Sequence, residues 1–176
     1  MTILANLIGI AAVVLCVLSY QFKTRRGIIF FNAASRIFYV LQYLLLGAFE
    51  GAVLDVTALL VTLLAQRKDR GWLKQHPRGI ILGANAFVIA MGLLSYQNVC
   101  SLLPIIGVLF ETGAFWLDRE RQIRIVSFLS IPFWLSYNLL FAAYGSAIGN
   151  VMTLVSIGIA IVRYDILKKA DTRTSR

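Results

Sequence analysis

Three charged side chains stand inside long apolar segments of the sequence. They are Arg36, Asp55 and Glu111. A charge within a bilayer is costly, so it usually faces a cavity or a partner of opposite charge. Arg36 lies about nine residues, or roughly 12 Å, into its segment, and Glu111 lies about ten residues, or roughly 15 Å, into another. These similar depths predict an Arg36–Glu111 ion pair. Arg36 can also reach Asp55, about six residues into a third segment.

This charge cluster has two interpretations. In the structural one, an Arg36–Glu111 pair fixes two helices together and contacts no solute. In the functional one, the pair or its members face a solute pathway. Glu111 is then the candidate for proton coupling, because burial disfavours an ionised carboxylate, although contact with Arg36 opposes that effect. Glu50 is the fourth charged residue outside the basic clusters, and we expect it to be solvated in an outer turn.

The composition places these charges in a membrane protein. The chain has 176 residues, of which 59% are hydrophobic and 14% charged, and its mean hydropathy is +0.79. These values exclude an ordinary soluble enzyme, a disordered chain and a solenoid. We expect an all-α polytopic membrane protein, because a transmembrane helix needs about 20 apolar residues. Seven apolar runs are predicted to span the bilayer: 3–22, 27–48, 49–66, 79–97, 101–117, 123–143 and 146–163.

The basic residues predict the orientation of these spans. Sixteen of the 17 Lys and Arg residues lie in four clusters, which follow the first, third, fifth and seventh runs. Cytoplasmic loops carry such an excess of Lys and Arg. Seven spans put every cluster on one face, with the N-terminus outside and the C-terminus cytoplasmic. The net charge of +9 is thereby explained without nucleic acid as a partner.

The chain also repeats itself at an offset of 95 residues. When 7–65 is aligned with 102–160 without a gap, 14 of 59 positions are identical, and the loops fall into register. The fourth span is left as an unpaired linker, so both halves have the same orientation. This predicts a 3+1+3 plan with two parallel triple-helix bundles. The units are 1–66, a basic loop with the linker helix in 67–100, a second bundle in 101–163 and a cytoplasmic tail in 164–176.

Two residue pairs at equivalent positions of the repeat are candidates for binding a solute. Asp55 matches Asn150, and together they can accept from and donate to hydroxyl or amide groups. Tyr39 matches Trp134, and their flat faces suit a sugar-like or nucleoside-like ring. Ordinary alternatives are a backbone partner for the polar pair and helix packing for the aromatic pair. Three polar residues extend this stripe outward: Gln42, Tyr137 and Asn138.

The sequence motifs predict neither an enzyme nor a metalloprotein. The sequence has no GxSxG, HExxH or P-loop pattern, and no nucleophile–base set stands out. The single histidine, His76, has no cysteine or histidine nearby in the sequence. We therefore expect no catalytic residue, no metal and no cofactor. The partners expected are membrane lipid and a small-molecule solute, with a homo-oligomer left open.

Two short segments carry a resemblance to known families. The sequence Ser101-Leu102-Leu103-Pro104-Ile105-Ile106-Gly107 resembles the LLPVIG segment of the bacterial inner-membrane YgjV family. Tyr43-Leu44-Leu45-Leu46-Gly47 is similar to that family's second-helix ending. The resemblance implies a multi-pass protein of the bacterial inner membrane. The 3+1+3 plan resembles the SWEET and PnuC transporters, whose bundles are of the PQ-loop, MtN3-like type.

The SWEET resemblance implies a solute pocket between the bundles. In SWEETs an asparagine from the third helix of each bundle lines that pocket, and Asp55 and Asn150 match those places. The chain departs from the PQ-loop pattern, since its first span has no proline and no Pro-Gln pair occurs. The first functional hypothesis is a secondary transporter or facilitator for a small polar solute, sugar-like or vitamin-like. The second is a receptor, scaffold or assembly subunit that transports nothing and whose polar residues are structural.

Overall fold

The computed structural model describes residues 2–47, 49–96, 98–140 and 144–167. Within these ranges the chain forms helices and no strand. The eight α-helices are α1 (Thr2–Ser19), α2 (Arg25–Leu46), α3 (Phe49–Gln66), α4 (Gly71–Gln75), α5 (Pro77–Leu94), α6 (Leu102–Ala114), α7 (Glu120–Leu140) and α8 (Tyr144–Ala160). A 3₁₀ turn at Val99–Ser101 precedes α6, and a π-helical segment at Ile161–Leu167 continues α8.

Five of the described helical segments are long and apolar enough to cross a membrane. They are Arg25–Leu46, Phe49–Gln66, Pro77–Leu94, Glu120–Leu140 and Ser146–Ile166. Two shorter apolar segments, Leu7–Ser19 and Val99–Ala114, correspond to the first and fifth predicted spans. The expectation of an all-helical membrane protein is therefore confirmed. The basic loop between α3 and α5 also contains the short helix α4.

Local sequence signals explain where the helices begin and end. The hydroxyl of Thr24 accepts a hydrogen bond from the backbone N–H of Gly27 and so caps the start of α2. Gly47 ends α2 with φ of 72°, a left-handed conformation that glycine adopts without a Cβ clash. Pro77 lies in the first turn of α5, where its missing N–H costs nothing.

Six of the helices pack into a closed ring. α2 packs between α1 and α3, and α7 packs between α6 and α8. The two groups of three meet twice, where α1 packs against α8 and where α3 packs against α6. α5 packs against both α3 and α6, at the second of these seams. The ring therefore runs in the order α1, α2, α3, α6, α7, α8.

The polarity of the ring is that of a membrane protein, with polar groups inside and apolar groups outside. Large apolar side chains such as Leu7, Leu82 and Ile148 are exposed, whereas Arg36 is only 3% exposed and Arg124 only 1%. Water would penalise so much exposed apolar surface, and acyl chains do not. Backbone groups at that surface are satisfied within their own helices, as a hydrocarbon environment requires.

The expectation that Glu50 is solvated is wrong. Glu50 is buried in the first turn of α3, where its carboxylate accepts a 3.3 Å hydrogen bond from the hydroxyl of Tyr137. The first residues of the predicted cytoplasmic tail, 164–176, are helical, because the π-helical segment continues to Leu167. Asp165 there pairs with Arg124, whose buried charge requires a counter-ion. Residues 168–176 lie outside the described part of the chain.

Candidate functional site

A polar cavity lies inside the helix ring, and all six ring helices contribute to its wall. Its empty space, counted together with space open to solvent, is about 570 Å³, and the room for water-sized molecules is about 60 Å³. The wall extends from Ser146, near the start of α8, to Tyr20, just beyond the end of α1. The cavity therefore follows the long axis of the ring between its two groups of three helices.

The buried charges form one connected cluster on the cavity wall. The Arg36 guanidinium contacts Asp55 Oδ1 at 2.8 Å and Glu111 Oε2 at 2.7 Å. The Asn32 side-chain amide donates to Glu111 Oε1 at 3.0 Å, and its oxygen accepts from Arg36 Nε at 3.2 Å. The predicted Arg36–Glu111 pair and the predicted reach of Arg36 to Asp55 are both confirmed. Arg36 thus joins α2 to α3 and to α6 within a low-dielectric interior.

Residues 95 positions apart face each other across this cavity. Of the 15 described residues that line it, 12 form six such pairs. The pairs are Cys16 and Glu111, Ser35 and Ser130, Arg36 and Ile131, Tyr39 and Trp134, Tyr43 and Asn138, and Asp55 and Asn150. Even a local detail recurs, because Ser35 donates to the carbonyl of Asn32 at 2.7 Å and Ser130 donates to that of Ser127 at 2.6 Å.

The two sides of the cavity differ in charge although their positions correspond. α2, α3 and α6 contribute the three charges, on Arg36, Asp55 and Glu111. Their counterparts on α7, α8 and α1 are neutral: Ile131, Asn150 and Cys16. The amide nitrogen of Asn150 is buried without a hydrogen-bond partner. The neutral wall therefore offers a free donor opposite a charged wall.

The structure brings together seven of the eight residues predicted to bind a solute, which are the three charged residues of the cluster, Tyr39, Trp134, Asn150, Gln42 and Asn138. Those seven lining residues are Arg36, Tyr39, Asp55, Glu111, Trp134, Asn138 and Asn150. Gln42 lies outside the central cavity. It lines a second cavity of about 930 Å³ between α1, α2 and α8, together with exposed apolar side chains such as Ile10 and Ile148. The helical rotation of α2 thus turns Gln42 out of the central cavity, and Tyr39 alone of the seven also lines the second cavity.

Two arginines that the sequence assigns only to basic loops are tied into the ring. Arg25, at the start of α2, donates to the carbonyl oxygens of Phe115 and Leu117 beyond α6, at 2.6 and 3.0 Å. It also donates to the carbonyl of Ala65 at the end of α3, at 2.8 Å. Arginine suits this position because its guanidinium presents several donors in a fixed plane.

Arg124, near the start of α7, makes a similar set of contacts with residues just beyond α1. It donates to the carbonyl oxygens of Tyr20 at 3.4 Å and Phe22 at 2.9 Å. Its remaining nitrogen pairs with Asp165 at 3.0 Å. One sequence signal could have set both arginines apart from the other loop residues, since each lies in or next to the first turn of a helix. Their partners could not be predicted, because backbone carbonyls have no side-chain signature.

A solvent-facing ion pair reinforces the same end of the ring. Lys68, after α3, pairs with Asp118, after α6, and also donates to the carbonyl of Trp116 at 2.6 Å. The hydrogen bond from Lys68 lowers the pKa of Asp118 below its ordinary value. The loops that follow α3 and α6 are therefore linked directly. Among the residues that the structure describes, no group of His, Cys, Asp and Glu is arranged to hold a metal ion.

The fold and the site define a multi-pass, all-helical membrane protein with a polar cavity and a buried ion cluster. The model of the Imp-YgjV family, described as a bacterial inner membrane protein, matches residues 3–168. The chain belongs to this family, which places it in the bacterial inner membrane. No curated protein matches the chain. No solved structure matches it either.

Proposed function

We propose that this protein is a secondary transporter or facilitator that moves a small polar solute across the inner membrane. Its moving parts are two parallel three-helix bundles, α1–α3 and α6–α8, and α5 links them in a 3+1+3 plan like that of SWEET and PnuC transporters. Alternating access arises when the bundles rock around a site held between them. The observation that carries the proposal is the cavity whose wall is built from residue pairs 95 positions apart.

Helix packing supports the same plan. An offset of 95 residues relates α1 to α6 and α3 to α8, so the α1–α8 seam corresponds to the α6–α3 seam. A parallel repeat related by an axis along the membrane normal has this property. The distribution of basic residues orients the N-terminus outside and the C-terminus in the cytoplasm. The end that contains Arg25 and Arg124 then faces the cytoplasm.

The residues of the cavity favour a small solute with both polar and ring-like surface. Tyr39 and Trp134 offer aromatic faces on opposite bundles, and the unpartnered Asn150 nitrogen offers a donor to a hydroxyl or carbonyl oxygen. A sugar-like or vitamin-like molecule has this combination of groups.

A second candidate function is that of a receptor, scaffold or assembly subunit that transports nothing. One observation favours it: Arg36 contacts both carboxylates and Asn32, so the cluster holds its cation without a solute. Buried ion pairs of this kind can fix helix positions alone. In that case the cavity is a packing defect, and neither face of the membrane gives access to it.

Cysteine accessibility separates the two functions without knowledge of the solute. The test places Asn150→Cys in a chain that also carries Cys16→Ser and Cys100→Ser, and applies a membrane-impermeant thiol reagent to right-side-out and inside-out vesicles. A transporter exposes residue 150 to both faces. The matched control is Val151→Cys, because Val151 is the next residue and its side chain is 48% exposed on the outer surface of the ring. Val151→Cys should react from neither face. If Asn150→Cys also fails to react from either face, transport by this route is excluded.

A further inference from the structure

The central cavity contains one more negative group than positive group. Of the described residues that line it, Arg36 alone is cationic, whereas Asp55 and Glu111 are both carboxylates. The other ionisable groups on the wall, Cys16, Tyr20, Tyr39 and Tyr43, are neutral in their ordinary state near neutral pH. α7 and α8 contribute no ionisable side chain to the lining. With both carboxylates ionised, the cluster would keep a net charge of about −1 in a low-dielectric site, which is strongly disfavoured.

Close polar contacts distinguish the two carboxylates. Glu111 Oε1 accepts a hydrogen bond from Asn32, and its Oε2 lies 2.7 Å from Arg36 Nη2 in an ion-pair contact without hydrogen-bond geometry. Asp55 has a donor on Oδ1 alone, from Arg36. No described residue donates to its Oδ2. An ionised carboxylate needs donors on both oxygens when it is buried, whereas a protonated one keeps one acceptor oxygen and gains an O–H donor.

We propose that Asp55 Oδ2 is a proton-binding site of the cavity and that the bound proton is the ion coupled to transport. In the binding step, a hydronium ion in the cavity water transfers its proton to Oδ2 and leaves a water molecule. The charge of the cluster then changes from about −1 to zero, and release of the proton to water on the other face reverses the step. Asp55, rather than Glu111, is therefore the coupling carboxylate.

Protonation has a mechanical consequence if the bundles rock. A cluster with excess charge is stabilised by cavity water and resists closure into a dry intermediate. A neutral cluster loses less hydration, so the bundles move more readily with the proton bound. The coupling role rests on the proposed transport function, whereas the proton site depends only on the charges and hydrogen bonds of the cluster.

Infrared difference spectroscopy tests the proton site without a solute. Purified full-length protein is compared between mildly alkaline and mildly acidic buffer, and the carbonyl stretch of a protonated carboxylic acid is recorded. We expect Asp55→Asn to lose the cavity band and Glu50→Gln, the control at a buried carboxylate outside this cavity, to keep it. Asp55→Asn should fold, because the amide has the shape and neutrality of the protonated acid. If it does not fold, Asp55→Glu replaces it and should shift the band frequency.

The possible results separate the two proposals. Absence of the band from the wild-type protein, or its persistence unchanged in both Asp55→Asn and Asp55→Glu, overturns the proton site. Proton flux in vesicles is measured separately with an internal pH dye and an imposed gradient of candidate solutes. If the band is present but residue 150 is inaccessible from both faces, the proton site stands and the transport function falls. If residue 150 is accessible and the band is absent, transport stands without this proton.

Discussion

Arg25 and Arg124 make reciprocal contacts between the two groups of three ring helices, α1–α3 and α6–α8. Arg25 from α2 binds the carbonyls of Phe115 and Leu117, and Arg124 from α7 binds those of Tyr20 and Phe22. The carbonyls of each set lie 95 residues from those of the other, so each arginine holds the equivalent turn of the opposite bundle. The two arginines themselves are not equivalent, because an offset of 95 aligns Arg124 with Ile29. The carbonyl groups that are bound are therefore equivalent in the two halves of the chain, whereas the arginines that bind them come from non-equivalent positions.

The first prediction concerns the stability that Arg124 provides. Arg124→Ala leaves Asp165 without its buried partner and frees two carbonyls, so we expect a loss of about 3–5 kcal/mol in the free energy of unfolding. Arg124→Lys should recover only part, because an ammonium lacks the planar donors. Thermal unfolding in detergent measures both. The control is Arg121→Ala, at an exposed position one turn earlier, and a loss there as large as in Arg124→Ala would contradict a specific stabilising role of the Arg124 contacts.

The second prediction treats the two arginines as a cytoplasmic closure. Under the proposed orientation, Arg25→Ala should loosen the seam between the bundles and let cytoplasmic water reach the cavity. The reaction of Asn150→Cys with an impermeant thiol reagent should then accelerate in inside-out vesicles and not in right-side-out vesicles. Equal acceleration from both sides would indicate general unfolding, and no acceleration would show that Arg25 does not close this end.

The third prediction is a double-mutant cycle on the buried ion cluster. Arg36→Met leaves two buried carboxylates without their cation, and we expect it to cost about 3–5 kcal/mol. Adding Glu111→Gln should recover much of this loss, because one of the two unpaired charges disappears. Unfolding free energies of the wild type, both single variants and the double variant provide the coupling energy. Strictly additive losses would contradict the coupling that the 2.7 Å contact implies.

The fourth prediction concerns solute recognition. Asp55→Ala and Asn150→Ala should leave folding nearly intact, because Arg36 keeps Glu111 as a partner and water can fill the cavity wall. Both should weaken solute uptake in proteoliposomes, and Asp55→Asn should be milder than Asp55→Ala if hydrogen bonding matters more than charge. Gln42→Ala is the control, since Gln42 lies outside the central cavity. An uptake defect confined to Gln42→Ala would move the site to the second cavity.

The fifth prediction is a small pH dependence from the Lys68–Asp118 pair. The hydrogen bond from Lys68 lowers the pKa of Asp118 in the folded state, so the stabilisation is present above the unfolded-state pKa. It is lost as the pH falls through the folded-state pKa. Asp118 is largely exposed, so the effect should not exceed about 1 kcal/mol. The difference in unfolding free energy between wild type and Asp118→Asn should shrink on acidification. A difference that grows would contradict the lowered pKa of Asp118.

The membrane class, the positions of the apolar helices and the Arg36–Glu111 pair could be predicted from the sequence. Hydropathy is a sum over neighbouring residues, and depth follows from counting residues at a fixed rise. The offset of 95 residues is equally a property of the linear sequence. Charge and depth together leave few partners for a buried arginine, which explains why this pair could be predicted.

Tertiary structure alone decided which faces of the helices meet. It buried Glu50 against Tyr137, turned Gln42 away from the cavity and gave Arg124 the partner Asp165. It also left Asp55 with a contact on one oxygen, whereas Glu111 has Asn32 at one oxygen and Arg36 at the other. Each outcome depends on the rotation of a helix about its axis. Hydropathy scarcely constrains that rotation when a helix is apolar on most of its faces. Backbone carbonyls beyond the helix ends, which Arg25 and Arg124 bind, are present at every residue and become specific partners only when the bundles are packed.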